Sequence, residues 1–189
     1  MNRNDRLSLG ALAAMLAMLL LVSVQGRGLM SALLLLLMAP SLFVFRWPHR
    51  VPRAHVAVFV LAMALTATLY TLNLFARISW LDKVVHLYCG FAVTLVFGLM
   101  LYDRVLAALA RARLLLATSI FCVGATIAVL WEIGEWILDR YVAGRIVHGQ
   151  FDTMTDLSAG LLGALLAAGL ATHSVRQRTD QTGTRDYSE

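Results

Sequence analysis

The chain has 189 residues, of which 60% are hydrophobic and 14% charged, and it carries a net charge of +5. Ordinary soluble domains carry about 25% charged residues, so the composition excludes a soluble surface of the usual kind and points to a bilayer. The positive balance does not indicate nucleic acid, because the arginines lie scattered between hydrophobic runs rather than in one stripe.

Six hydrophobic runs follow in chain order: Leu7–Val24, Leu29–Phe45, His55–Phe75, Val84–Tyr102, Leu114–Leu138 and Thr155–Thr172. About 20 apolar residues cross a bilayer core, within a range of about 17–25. All six runs qualify, although the second holds Pro40 and the sixth is marginal. Only helices satisfy their own backbone in lipid, so the expected fold is all-α, a polytopic bundle of about six transmembrane helices. Residues 1–172 form a single membrane domain, and residues 173–189 read as a polar, disordered cytoplasmic tail. The first run follows Arg3 and Arg6 as a signal peptide would, but it leaves through Val22-Ser23-Val24-Gln25-Gly26 with no small-x-small cleavage site and reads as an uncleaved span. The two cysteines, Cys89 and Cys122, lie inside apolar runs and read as buried free thiols.

Orientation follows the basic residues. The N-terminus, the second–third loop, the fourth–fifth loop and the tail together hold eleven Lys and Arg; the other side holds Arg27, Arg77, Lys83, Arg140 and Arg145. The positive-inside rule then places both termini in the cytoplasm. Trp80, Trp136 and Tyr141 fall near the outer interface, where amphipathic rings belong.

Six of the eleven acidic residues gather in three stretches beside hydrophobic runs: Asp82-Lys83-x-x-His86, Glu132-x-x-Glu135 with Asp139, and Asp152-x-x-x-Asp156 behind His148. All three fall on the outer side. Helical neighbours recur at i+3, i+4 and i+7. On the fourth span Asp82, His86 and Gly90 share a face. On the fifth, Glu132, Glu135 and Asp139 share a face that continues through Ala128, Ala125 and Gly124. On the sixth, Asp152, Asp156, Gly160 and Gly163 form one stripe. Small residues let membrane helices approach closely, so the polar ends are expected to point at one another around an outer pocket.

Structural explanations exist for several of these residues. Ser79-x-x-Asp82 and Thr153-x-x-Asp156 match capping boxes, and Asp152 suits an N-cap. Lys83 and His148 near an interface suit solvation. Glu132 and Glu135 resist such accounts. They approach the C-terminal end of their span, where the helix dipole disfavours negative charge. Glu132 lies roughly 9 Å down the axis from Leu138 at about 1.5 Å per residue. A carboxylate there costs roughly 2.5–3.5 kcal/mol on insertion scales. A cation, a metal or a bound proton must offset it.

These motifs resemble a known pattern. Asp82-Lys83-x-x-His86-x-x-x-Gly90-Phe91, Glu132-x-x-Glu135-Trp136, Asp152-Thr153-x-x-Asp156 and Gly163-Ala164 look like the signature of the YjdF-type bacterial inner-membrane family, over about residues 55–172. The resemblance implies a bacterial inner-membrane location and supplies no activity. A looser similarity extends to VanZ-like proteins, which share the D-K-x-x-H start. Those chains carry glutamine where this one has Glu135, so glycopeptide-resistance roles are not carried over.

Three functions fit the residues. In the first, Glu132, Glu135, His86 and Asp82 are catalytic candidates of an enzyme acting on an amphipathic, lipid-linked molecule. Asp82, His86, Glu132, Glu135 and Asp156 would be ligands for a divalent metal, and Lys83, Arg140, Arg145 and Asp152 would hold substrate. Without metal, the carboxyls would serve as a general acid and base. In the second, the same groups serve cation- or proton-coupled transport, although no second half mirrors the first; a homo-oligomer would then complete the path. In the third, the cluster is an ion-pair lock in a non-catalytic membrane module, with Lys83 and an arginine neutralising the glutamates. The bilayer is a partner in each.

Overall fold

The computed structural model describes residues 2–26, 28–46, 51–75, 77–104, 106–109, 112–141 and 149–183. The secondary structure among them is helical throughout: α1 (Arg3–Val24), α2 (Gly28–Arg46), α3 (Arg53–Thr71), α4 (Ser79–Arg104), α5 (Arg113–Tyr141) and α6 (Gln150–Gly183), with a short 3-10 turn at Leu106–Leu109. All but α2 are long and apolar enough to cross a membrane; in α2 the apolar stretch Ser31–Arg46 is shorter. The protein is a polytopic helical membrane bundle.

Its helices pack in two groups. The first three pack on one another, and α3 leans on α4; α4, α5 and α6 pack pairwise, with α4 against α6 the most extensive pairing. The reason lies in the small residues. A Cβ placed on Gly90 would strike the backbone of Gly160, and one on Gly163 would strike the Leu87 carbonyl oxygen and the Phe91 nitrogen. The two backbones therefore touch, which only glycine permits at these positions. Gly124 of α5 fits in the same way against Thr94 of α4 and Ala164 of α6.

Two local features place the polar residues. Asn73 adopts φ 54° just past α3, and the Leu74 amide reaches back to the Leu69 carbonyl at 3.0 Å. This left-handed C-terminal turn suits asparagine and leads within a few residues into α4. In α2, Pro40 stays inside the helix and removes one backbone donor; the Ser41 hydroxyl donates to the Leu37 carbonyl at 2.9 Å.

Three expectations are corrected. Cys89 and Cys122 are free thiols, but Cys89 is half-buried and Cys122 exposed, because its side of α5 turns away from the bundle. The segment from His173, expected to be disordered, continues α6 to Gly183; no glycine or proline interrupts it before Gly183, so nothing local stops the helix. Residues 184–189 lie outside the described residues. Asp152 is no N-cap: α6 starts at Gln150, which puts Asp152 in its first turn.

Candidate functional site

The N-terminal ends of α4 and α6 and the C-terminal ends of α3 and α5 come together at one end of the bundle. Asp82, Lys83 and His86 enter from α4, Glu132 and Glu135 from α5, and Asp152 and Asp156 from α6. Glu132, Glu135 and Asp156 are buried, at 7%, 8% and 2% relative exposure.

His86 is the hub. Its Nδ1 lies 3.0 Å from the Asp82 carbonyl oxygen and 3.4 Å from Asp82 Oδ1. A carbonyl only accepts, so Nδ1 carries the hydrogen. Its Nε2 faces Glu132 Oε1 at 3.2 Å, yet among the described residues neither atom has an aligned hydrogen bond. An imidazole lone pair and a carboxylate at this distance repel unless a proton or an ion lies between them. Two atoms each about 2.1 Å from one metal, at tetrahedral or octahedral angles, sit about 3.0–3.4 Å apart, so the spacing suits either occupant. Asp156 Oδ1 lies 3.8 Å from His86 Nδ1 and also lacks an aligned hydrogen bond.

The remaining acids are held differently. Glu135 Oε1 accepts from the Tyr70 hydroxyl at 2.9 Å and from Trp131 Nε1 at 2.8 Å. Lys83 Nζ donates to Asp152 Oδ1 and pairs with Asp156 Oδ1 at 3.1 Å. The lysine thus bridges α4 to α6, and the partners it neutralises are aspartates rather than glutamates. Asp82, in the first turn of α4, keeps a favourable place on the helix dipole. Asp156 does not: it lies beyond the first turn of α6 and is almost fully buried, so a cap no longer explains it.

Acids outnumber bases around His86 among the described residues: Asp82, Glu132, Glu135 and Asp156 are four carboxyls, and Lys83 and His86 are the cations in contact with them. Two groups, Asp82–His86–Asp156 and His86–Glu132–Glu135, each place one ligand atom per residue within 4.8 Å of the others. A cavity of about 100 Å³ opens beside them, bordered by Asp82, His86, Glu132 and Asp156 and by Thr66, Tyr70 and Trp131. It has room for several waters.

Among the other candidates, Arg140 is exposed near the end of α5 and does not border the cavity. Arg145, His148 and the side chains of Asp139 and Tyr141 lie outside the described residues. Trp80 and Trp136 are exposed. Tyr70 and Trp131 had drawn no attention in the sequence. Trp131 stands four residues before Glu135, the helical spacing of a side-chain pair; Tyr70 carries no local signal beyond a polar-tipped ring at a span's end.

A protein-family model described as "Predicted membrane protein (DUF2238)" matches residues 6–177. The chain belongs to that family. It is the YjdF-type family that the three acidic stretches resemble; the VanZ-like similarity finds no support. An uncharacterized protein of Thermotoga maritima is 33% identical over 104 residues, 51% of this chain and 50% of the relative, so this chain spans about half the length of the curated relative it matches. No solved structure matches.

Proposed function

We propose that this member of the family is a bacterial inner-membrane enzyme that uses a divalent cation, held by His86 and Glu132 with Glu135, Asp82 and Asp156 around them, to act on an amphipathic substrate. The observation that carries the reading is the Glu132–His86 contact: two buried atoms 3.2 Å apart, unaligned as hydrogen-bond partners among the described residues, with the carboxyls of Asp82, Glu135 and Asp156 around them. A buried polar atom left unsatisfied costs about 1–3 kcal/mol, and a divalent ion would remove that cost and offset the surrounding carboxylates together. Oxygen donors suit Mg²⁺ or Mn²⁺, and the imidazole adds affinity for Zn²⁺ or Fe²⁺. A bound ion would supply Lewis acidity and water activation at this end of the bundle. Glu135, fixed by Tyr70 and Trp131, is placed to exchange a proton with the substrate. The excess of Lys and Arg on the opposite side supports an outward-facing pocket with both termini in the cytoplasm.

Lys83 favours a structural role for part of the cluster. Its pairing with Asp152 and Asp156 withdraws it from substrate binding and makes it a lock between α4 and α6, so the lock and the reactive group coexist at one end of the bundle.

Elemental analysis of the purified chain, dialysed against Mn²⁺ or Zn²⁺, is expected to give a stoichiometric ion that is lost in Glu132→Gln and His86→Ala. Added ion should raise thermal stability by about 2.7 kcal/mol at a hundredfold excess over its dissociation constant. A metal-free wild type whose stability rises on Glu132→Gln overturns the reading, because the substitution would then merely relieve repulsion.

A further inference from the structure

A second, larger cavity of about 360 Å³ adjoins the first, sharing Leu37, Met63, Tyr70 and Trp131 with it. Its volume is that of a ligand pocket, which runs about 300–1,000 Å³. The walls are apolar: Leu36 and Pro40 of α2, Phe59 of α3, Phe97 of α4 and Leu130 of α5. Polar atoms enter at one end only, where Tyr70, Trp131 and Glu135 form their hydrogen-bonded group. The mouth is lateral. Helix α2 packs on α1 and α3, and α5 packs on α4 and α6, which leaves a slot between α2 and α5. Leu36 and Leu130 flank it at 57% and 60% exposure.

We propose that this slot holds a hydrocarbon chain of a bilayer amphiphile, which enters sideways between α2 and α5 with its polar end at Glu135. The occupant follows from the surroundings. The slot opens between helices that lie in the bilayer, so acyl chains are the medium at its mouth. Its one carboxyl, among the described residues, sits at the inner end, already supplied with two neutral donors. The slot and the polar cavity share the walls Leu37, Met63, Tyr70 and Trp131, so an amphiphile whose chain fills the slot would bring its compact polar end toward His86 and Glu132. The chain's role as part of a substrate rests on the proposed enzyme reading; its binding does not.

The test uses the full chain in phosphatidylglycerol–phosphatidylethanolamine vesicles that contain a trace of phosphatidylglycerol with a diazirine in its acyl chain. After irradiation, peptide mass spectrometry should find label several-fold enriched at Leu36, Phe97 and Leu130 over the equally lipid-exposed Leu20 and Leu165. Gly134 borders the slot, and a Cβ there meets nothing within 4 Å. Gly134→Phe should therefore fill the slot without disturbing the fold and remove the enrichment. Gly169→Phe, also into open space but on the far side of α6, should preserve it. Even labelling of all exposed leucines, indifference to Gly134→Phe, or cross-links between two copies through the slot would overturn the proposal. Enrichment in a metal-free chain supports the slot and overturns only the metal reading; even labelling in a metal-loaded chain overturns the slot alone.

Discussion

Two ion-paired sites stand at opposite ends of this bundle and follow different rules. At the end where α1 and α3 begin, Arg53 Nε lies 3.5 Å from Asp5. The same guanidinium donates to the Phe45 carbonyl at 3.0 Å and sits over the Phe45 ring. Asp5 and Arg53 are both partly exposed, and three helix ends are tied together. At the other end, among the described residues, Asp82, Glu132, Glu135 and Asp156 gather around His86 and Lys83, and three of those acids are buried. An ion pair that only fastens helices needs the first arrangement. The second places several buried acids in a low-dielectric setting, where charge is expensive, and on the proposed reading a bound cation would offset them, which a clasp does not need.

Four substitutions sharpen the contrast. Gly163→Leu acts on the backbone contact beneath the polar end and should have the largest effect, a destabilisation of about 3 kcal/mol or enough to prevent folding, read by thermal unfolding in detergent. A small shift would mean that α4 and α6 can separate freely. Lys83→Met removes the ammonium that pairs with Asp152 and Asp156 and should cost about 2–3 kcal/mol. Adding Asp156→Asn should recover part of the loss, whereas strict additivity would show that lysine and aspartate are not coupled. Asp5→Asn removes the balanced pair at the other end and should cost less than about 1 kcal/mol. A loss equal to that of Lys83→Met would erase the distinction between the two ends.

Much of the polar end is legible in the sequence, because two periodicities coincide. Acids and histidine recur on the same faces as glycine and alanine, and the faces of α4, α5 and α6 meet at Gly90, Gly124 and Gly160. What stayed hidden depends on burial and long-range pairing. Asp156 looked like a capping residue because a local motif explained it; only its burial against Lys83 and His86 set that account aside. Tyr70 reaches Glu135 across 65 positions of sequence, and no local rule anticipates such a bond. Cys122 was expected inside because it sits in an apolar run, but in a membrane protein an apolar run marks the lipid side as readily as the core.

The order of the polar residues along the chain bears on how the protein is made. Helix α4 carries Lys83 and His86, the cations in contact with the cluster among the described residues, together with Asp82. It is synthesised before α5, which brings two acids, and before α6, which brings two more. A lone α5 would carry Glu132 and Glu135 into lipid at a combined cost of roughly 5–7 kcal/mol, from about 2.5–3.5 kcal/mol each. With α4 already inserted, His86 waits for Glu132 and Lys83 waits for the aspartates, so each new pair of carboxyls arrives beside its counter-charge, and biosynthesis meets the burden in instalments.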